Sequence, residues 1–68
     1  MKILSGKRFC NILEKRGWKL MRIKGSHHIY AKDGIITRIS VPVHSNRSLK
    51  FGLQKHFMKI ASIDETDL

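Results

Sequence analysis

The stretch "SHHIYAKDGIITRISVPV", residues 26–43, decides the fold of this chain of 68 residues. Asp33 and Gly34 at its centre form the strongest short hairpin signal in the sequence, because this dipeptide suits the tight turns that join antiparallel strands. Residues with β-branched and aromatic side chains, which favour strands, lie on both sides of the turn. The sequence therefore predicts a β-hairpin with strands near residues 26–32 and 35–43.

The second strand of this hairpin alternates between two kinds of side chain. One side carries Ile35, Ile39, Val41 and Val43, and the other carries Ile36, Arg38, Ser40 and Pro42. Since successive side chains of a strand point to opposite faces of a sheet, we expect the first set to face the core and the second to be mostly open. Pro42 has no N–H for a strand ladder, so it belongs at the end of the strand or on an edge.

A third strand is predicted immediately before the hairpin, in "WKLMRIK" at residues 18–24. This stretch lacks helical periodicity and is rich in residues compatible with a strand. Gly25 separates it from the strand that follows. The three strands are therefore expected to form an antiparallel meander.

Helices are predicted on both sides of the three strands. The first lies near residues 6–16, where Ser5 is suited to cap the N-terminus and Gly17 to end the helix. Its apolar residues recur at helical spacing at Phe9, Ile12 and Leu13. The second lies near residues 50–61, with apolar residues at Leu49, Leu53, Phe57, Ile60 and Ala61.

A last short turn is predicted at the C-terminus, because the segment from Ser62 to Glu65 has the form of a capping box. No linker, repeat or low-complexity segment interrupts the chain. The element order is α-β-β-β-α. We therefore predict one α+β domain over residues 1–68, with both helices on one face of a three-stranded antiparallel sheet.

The chain is strongly basic. It has 14 Lys and Arg residues against five Asp and Glu residues, a formal net charge of +9. All of the basic residues but only two of the acidic ones lie within residues 1–61. Such a charge attracts polyanions, of which nucleic acid is the obvious one. An acidic protein partner, or a basic surface that is merely solvated, also fits the charge.

Several classes of protein are disfavoured by the composition. No apolar run is long enough to span a membrane and no signal peptide is visible, so a cytoplasmic protein is expected. Cys10 is the only cysteine, and it cannot form an internal disulfide. The four histidines and this cysteine show none of the usual zinc-binding spacings, so neither a metal nor a cofactor is predicted.

Two adjacent histidines, His27 and His28, stand at the start of the predicted middle strand. Imidazole gives or takes a proton near neutral pH, and RNA carries its own nucleophile in the 2′-OH. If a base takes the proton of that hydroxyl, the oxygen can attack the adjacent phosphorus while nearby cations stabilise the developing charge. Groups close in sequence that could help are Arg22, Lys24, and the backbone N–H groups of Gly25 and Ser26. The two histidines could equally form ordinary hydrogen bonds on a basic strand.

Strand alternation separates the two imidazoles. His27 shares a side with Ile29, which predicts a partly sheltered position at the edge of the core. His28 shares a side with Tyr30, which predicts a position on the open face. This alternation does not by itself choose the catalytic residue. His44, after the third strand, could cap the turn there or face the same site as His27.

Three stretches together resemble the HicA family, also called YcfA-like, of small mRNA interferase toxins. They are "LEKRGWKLMRIKGSHHIYAKDG" at residues 13–34, "ISVPVH" at residues 39–44 and "SLKFGLQKHFMKIASI" at residues 48–63. Their order and spacing extend the resemblance over about residues 4–66. The chain departs from the family pattern at residues 51–53, where "FGL" stands in place of a frequent Pro-Gly-Thr.

The resemblance implies a fold like that of the double-stranded RNA-binding domain and an endoribonuclease that cleaves mRNA and blocks translation. It also implies that His27 is the catalytic histidine, that Gly25 is needed beside it, and that a HicB-type antitoxin is the partner. Supporting or substrate-binding roles are then expected for Arg22, Lys24, Ser26, His28 and His44.

Two alternatives to a nuclease remain open at the level of sequence. A non-catalytic RNA-binding module has the same element order and charge. A DNA-associated regulator is the other alternative, although no helix-turn-helix is visible.

Overall fold

The chain folds in the predicted order α-β-β-β-α, in a computed structural model that describes all 68 residues. The elements are α1 (Gly6–Lys15), β1 (Lys19–Lys24), β2 (His27–Lys32), β3 (Ile35–Pro42), α2 (Phe51–Ala61) and a short 3₁₀ turn (Glu65–Asp67). No end of the five main elements differs from its predicted position by more than one residue. The α+β class is confirmed. Neither helix has the length and apolar character needed to cross a lipid bilayer.

Helix α1 begins where the sequence predicted. The side-chain oxygen of Ser5 accepts a hydrogen bond from the backbone N–H of Arg8 at 3.2 Å, which satisfies one of the free donors of the first turn. At the other end Gly17 has a φ of +92°, in the left-handed region that glycine adopts readily. The N–H of Trp18 then bonds to the carbonyl of Leu13 at 2.9 Å, and the chain turns into β1.

The three strands form an antiparallel meander in the order β1-β2-β3. The Asp33-Gly34 hairpin is confirmed, and Gly34 has a φ of +84°. Two register shifts interrupt the ladders, one between Leu20 and Arg22 and one between Tyr30 and Lys32. These bulges alter the alternation of side chains at one end of the sheet, away from the turn that joins β1 to β2.

The helices cover one face of the sheet, and the core lies between them. Tyr30, Ile39 and Val41 supply the buried residues of this face, and both helices contact β3. The whole cluster contains Leu4, Phe9, Cys10, Leu13, Trp18, Tyr30, Ile39, Val41, Leu49, Phe57, Met58, Ala61 and Ile63. The predicted division of β3 into a core side and an open side is confirmed at Ile39 and Val41, and Ile36 on the open side is 98 % exposed. Ile35 was expected on the core side but is exposed, because it lies beyond the second register shift.

The C-terminal cap differs from the prediction. Ser62 does not begin a capping box; it ends α2 in the left-handed conformation, with a φ of 54°. Asp64 is the cap of the last turn: its side chain accepts a hydrogen bond from the N–H of Thr66, and its own N–H donates to Oδ2 of Asp67. The predicted box was therefore wrong by two residues, because α2 uses Ser62 to terminate before a new turn can start.

Candidate nucleic-acid-binding and catalytic site

His27 lies on the open face of the sheet at the start of β2, and its side chain is exposed. In the ladders it stands opposite Lys24 on β1 and Pro42 on β3. The sequence-based expectation of a sheltered His27 was wrong. The imidazole is accessible to a ligand that approaches the face of the sheet not covered by helices.

His28 has the opposite orientation to the one expected. It is half-buried, and its ladder partners are Ile23 and the fully buried Val41. The physical reason is Tyr30, which shares the side of His28 and enters the core with 1 % exposure. Because the phenol is buried, His28 follows it to the helix-covered side and His27 turns outward.

A hydroxyl on the neighbouring strand contacts the ring of His27. The Nδ1 atom of His27 lies 3.3 Å from Oγ of Ser40, while Nε2 has no partner within the protein. The sequence predicted the open side for Ser40 but gave it no role. Only the register between β2 and β3, which sets His27 opposite Pro42, brings the serine within reach. The contact fixes one ring nitrogen and leaves the other free.

Two cations flank His27 on the same open face. Lys24 is its direct partner across the ladder, and Arg22 is the partner of Ile29, two residues along β2. Directly opposite and diagonal side chains of an antiparallel pair lie within reach of one another. Both cations are exposed and neither forms an ion pair within the protein. The structure thus joins Arg22, Lys24, His27 and Ser40 into one cationic surface, which we call the open-face site.

The turn before β2 holds a second pair of polar side chains. Gly25 has a φ of +60°, and a Cβ there would meet nothing, so its backbone conformation is what favours glycine. Ser26 places its Oγ 3.3 Å from Nε2 of His44, and its carbonyl accepts a bond from the N–H of Val43 at 2.8 Å. His44 therefore bonds to the turn that precedes His27 and makes no hydrogen bond with His27 itself.

Several other residues with reactive or aromatic side chains lie outside the open-face site. Trp18 and Tyr30 are buried and cannot stack on bases, whereas Phe51 is 57 % exposed. Burial raises the pKa of the Cys10 thiol, which keeps it protonated and a poor nucleophile. His56 lies exposed on α2, as expected for a solvated helix position. No three His, Cys, Asp or Glu side chains come together in a way that could hold a metal ion.

The open-face site has the parts of an acid/base centre for a polyanion. An imidazole with one free nitrogen can exchange a proton with a ligand, and the flanking cations can attract and stabilise negative charge. A comparison with curated proteins found no match. A comparison with family models matched the HicA toxin of bacterial toxin–antitoxin modules over residues 6–63, which includes every residue of the open-face site. The chain belongs to the HicA toxin family, and it is the toxin component of a toxin–antitoxin pair.

Proposed function

We propose that this toxin is a metal-independent endoribonuclease that cleaves mRNA and so blocks translation, with His27 as the general acid/base. The observation that carries the proposal is the exposed imidazole of His27, which stands opposite Lys24 and is held at Nδ1 by Ser40. The proposed substrate implies that the toxin acts in the cytoplasm.

The reaction uses the nucleophile that RNA itself supplies. Nε2 of His27 takes the proton from a 2′-OH, and the resulting oxygen attacks the adjacent phosphorus. The bond from phosphorus to the 5′-oxygen breaks, that oxygen takes a proton from water, and the imidazolium of His27 returns its own proton to the solvent. The products are a 2′,3′-cyclic phosphate and a free 5′-OH. For Nε2 to act as the base, Nδ1 must carry the ring proton and donate it to Oγ of Ser40, a hydrogen bond that the 3.3 Å separation permits.

The remaining residues of the site support this step. Lys24 and Arg22 stabilise the charge that develops on the phosphate oxygens. Gly25 and Ser26 shape the turn that sets the position of His27, and Ser26 also holds His44. His28 acts indirectly, because its side chain lies on the other side of the strand. The fold would then bind RNA through a basic α+β surface, as the double-stranded RNA-binding domain does.

The decisive variant is His27→Ala. We expect RNA cleavage to fall by about 10²- to 10⁴-fold while most of the RNA affinity is retained, because a general acid/base contributes to rate and little to phosphate attraction. His28→Ala should reduce cleavage much less. His56→Ala, which removes an exposed histidine of α2, is the matched control and should behave as the wild type. Electrophoresis of a labelled RNA measures cleavage, and circular dichroism verifies that each variant is folded.

Different outcomes separate the alternatives. If folded His27→Ala cleaves RNA at the wild-type rate, this histidine is not the acid/base. If the wild-type protein binds RNA and never cuts it, the chain is a non-catalytic RNA-binding module. Inhibition by EDTA would contradict the metal-independent mechanism, and a product without the cyclic phosphate would contradict the 2′-OH as nucleophile.

The partner of the toxin in this proposal is a HicB-type antitoxin. An acidic surface that covers Lys24 and His27 would be complementary in charge to the open-face site. Masking His27 would also prevent cleavage of cellular mRNA until the antitoxin is removed.

A further inference from the structure

A groove of about 340 Å³ lies between the end of β3 and the first turn of α2. Ligand sites for small organic groups begin at about 300 Å³, so a single nucleotide is within its capacity. The groove is lined by Pro42, His44, Arg47, Ser48, Leu49, Lys50 and Leu53. None of these residues belongs to the open-face site.

The charged side chains of this groove are both basic. Arg47 and Lys50 are exposed, neither forms an ion pair, and no acidic residue lines the groove. A second groove of about 440 Å³, on the far side of α2, contrasts with it, because Asp64 and Glu65 stand among its lysines. The first groove is therefore the one suited to a phosphate.

The groove also has apolar surface beside its cations. Pro42 and Leu53 are partly buried there, and Leu49 is 5 % exposed. A nucleotide has the same two parts, an anionic phosphate and a flat base with an apolar face. The groove therefore fits one nucleotide better than a free inorganic anion. The phosphate can contact Arg47 and Lys50 while the base contacts Pro42 and Leu53.

The groove is linked to the open-face site through two contacts. Pro42 lines the groove and is also the ladder partner of His27. The hydrogen bond between Ser26 and His44 links the turn before His27 to the wall of the groove. These links place the groove next to the position that the scissile phosphate takes at His27.

We propose that this groove is a subsite for a nucleotide that flanks the scissile phosphate on a single strand of RNA. The phosphate of that nucleotide lies against Arg47 and Lys50, and its base lies against Pro42 and Leu53. His44, held by Ser26, forms the wall between this subsite and the catalytic imidazole. The proposal rests on the proposed function, and it assigns the β3–α2 loop to substrate positioning.

The test compares two pairs of substitutions in the His27→Ala background, in which cleavage is expected to be slow enough for binding to be measured. Arg47→Gln with Lys50→Gln removes the cations of the groove, whereas Lys55→Gln with Lys59→Gln removes two charges from the other groove. Fluorescence anisotropy measures the affinity for a labelled single-stranded RNA of about eight nucleotides, within the usual site sizes of single-strand binders. We expect the first pair to weaken binding about tenfold and to reduce the salt slope by about 0.7 for each phosphate that is no longer neutralised. The control pair should weaken binding much less.

A shortened RNA makes the test specific to the groove. Removing flanking nucleotides should lower the affinity of the His27→Ala protein but not that of the Arg47→Gln, Lys50→Gln variant, in which the subsite no longer binds. A free mononucleotide distinguishes binding of an isolated nucleotide from binding of a strand, and we expect it to compete weakly.

Two results would overturn the inference by different routes. Equal weakening by the two pairs of substitutions, with the same dependence on RNA length, would show that only total charge matters and leave the proposed function intact. If the parent His27→Ala protein and the wild-type protein both fail to bind RNA, the proposed function fails and the subsite fails with it. Circular dichroism of every variant verifies that weaker binding does not come from unfolding.

Discussion

Tyr30 helps to orient the site from within the core. Its phenol lies in the core and donates a hydrogen bond to Oε2 of Glu14 at 2.6 Å. Burial raises the pKa of Tyr30, and the hydrogen bond to Glu14 raises it further. Because alternate residues of a strand face opposite ways, the inward Tyr30 requires an inward His28 and an outward His27.

The raised pKa of Tyr30 predicts a loss of stability at high pH. Above about pH 10 the unfolded chain releases the phenolic proton while the folded chain keeps it, so the unfolded state is favoured by up to about 1.4 kcal/mol per pH unit. Below that pH the stabilisation is fully present. In urea unfolding from pH 7 to 11, the free energy of unfolding of the wild type should fall more steeply than that of Tyr30→Phe.

The same comparison contains its own control. Groups distant from the phenol are the same in both proteins, so their effects on the free energy of unfolding cancel in the difference. At neutral pH Tyr30→Phe should be less stable by about 0.5–1.5 kcal/mol, since the hydrogen bond to Glu14 is removed. Parallel stability curves up to pH 11 would contradict the assigned environment of the phenol.

At the scale of elements, α1 approaches the end of β3 closely. A Cβ added to Gly6 would overlap the carbonyl oxygen of Pro42. Glycine at the start of α1 therefore lets the helix lie directly against the strand end that faces His27 across the ladder. A second tie joins α2 to the N-terminal segment, where the buried amide of Gln54 bonds to Leu4 N–H and to the carbonyl of Lys2.

We expect Gly6→Ala to destabilise the protein by about 1–3 kcal/mol, because backbone must move to admit the methyl group. Gly52→Ala is the matched control, since this glycine of α2 has open space around its missing Cβ. Alanine there should stabilise by about 0.4–1 kcal/mol, as it restricts the unfolded chain and favours helix. Thermal unfolding measures both, and a stabilised Gly6→Ala would disprove the close contact.

At the scale of the whole molecule, the charges are unevenly distributed. Glu65 pairs with the amino terminus at 3.0 Å, and Asp67 pairs with Arg16 at 2.7 Å, so most acidic groups near the C-terminus are already engaged. The positive charge of the open-face site is left without a partner from its own chain. This arrangement favours an acidic ligand on that face, whether RNA or an antitoxin.

We predict that the antitoxin partner of this toxin protects RNA by covering the open-face site. Co-expression should restore growth and yield a complex that elutes as one species at micromolar concentration. Lys24→Glu should weaken the complex more than Lys59→Glu, because only the first change reverses a charge beside His27. Separate elution of the two wild-type proteins, or equal effects of the two substitutions, would contradict masking of this site.

The sequence alone determined the order of elements and most of their bounds. Local signals were sufficient here: Ser5 caps α1, Asp33-Gly34 makes the hairpin, and apolar spacing marks the helices. Such signals act through short-range geometry, which a short window of sequence contains. The family was also recognisable, because its motifs keep their order and spacing along the chain.

Tertiary structure decided which groups meet. Alternation placed His27 and His28 on opposite faces, but the expectation of which one faced outward was wrong, because that depends on which face the helices cover. Three features of the structure join residues that are distant in sequence. They are the contact of His27 with Ser40, the close approach of Gly6 to Pro42, and the groove at Arg47 and Lys50. Strand register and helix packing determine these contacts. Both depend on burial of the whole core and not on any local sequence pattern.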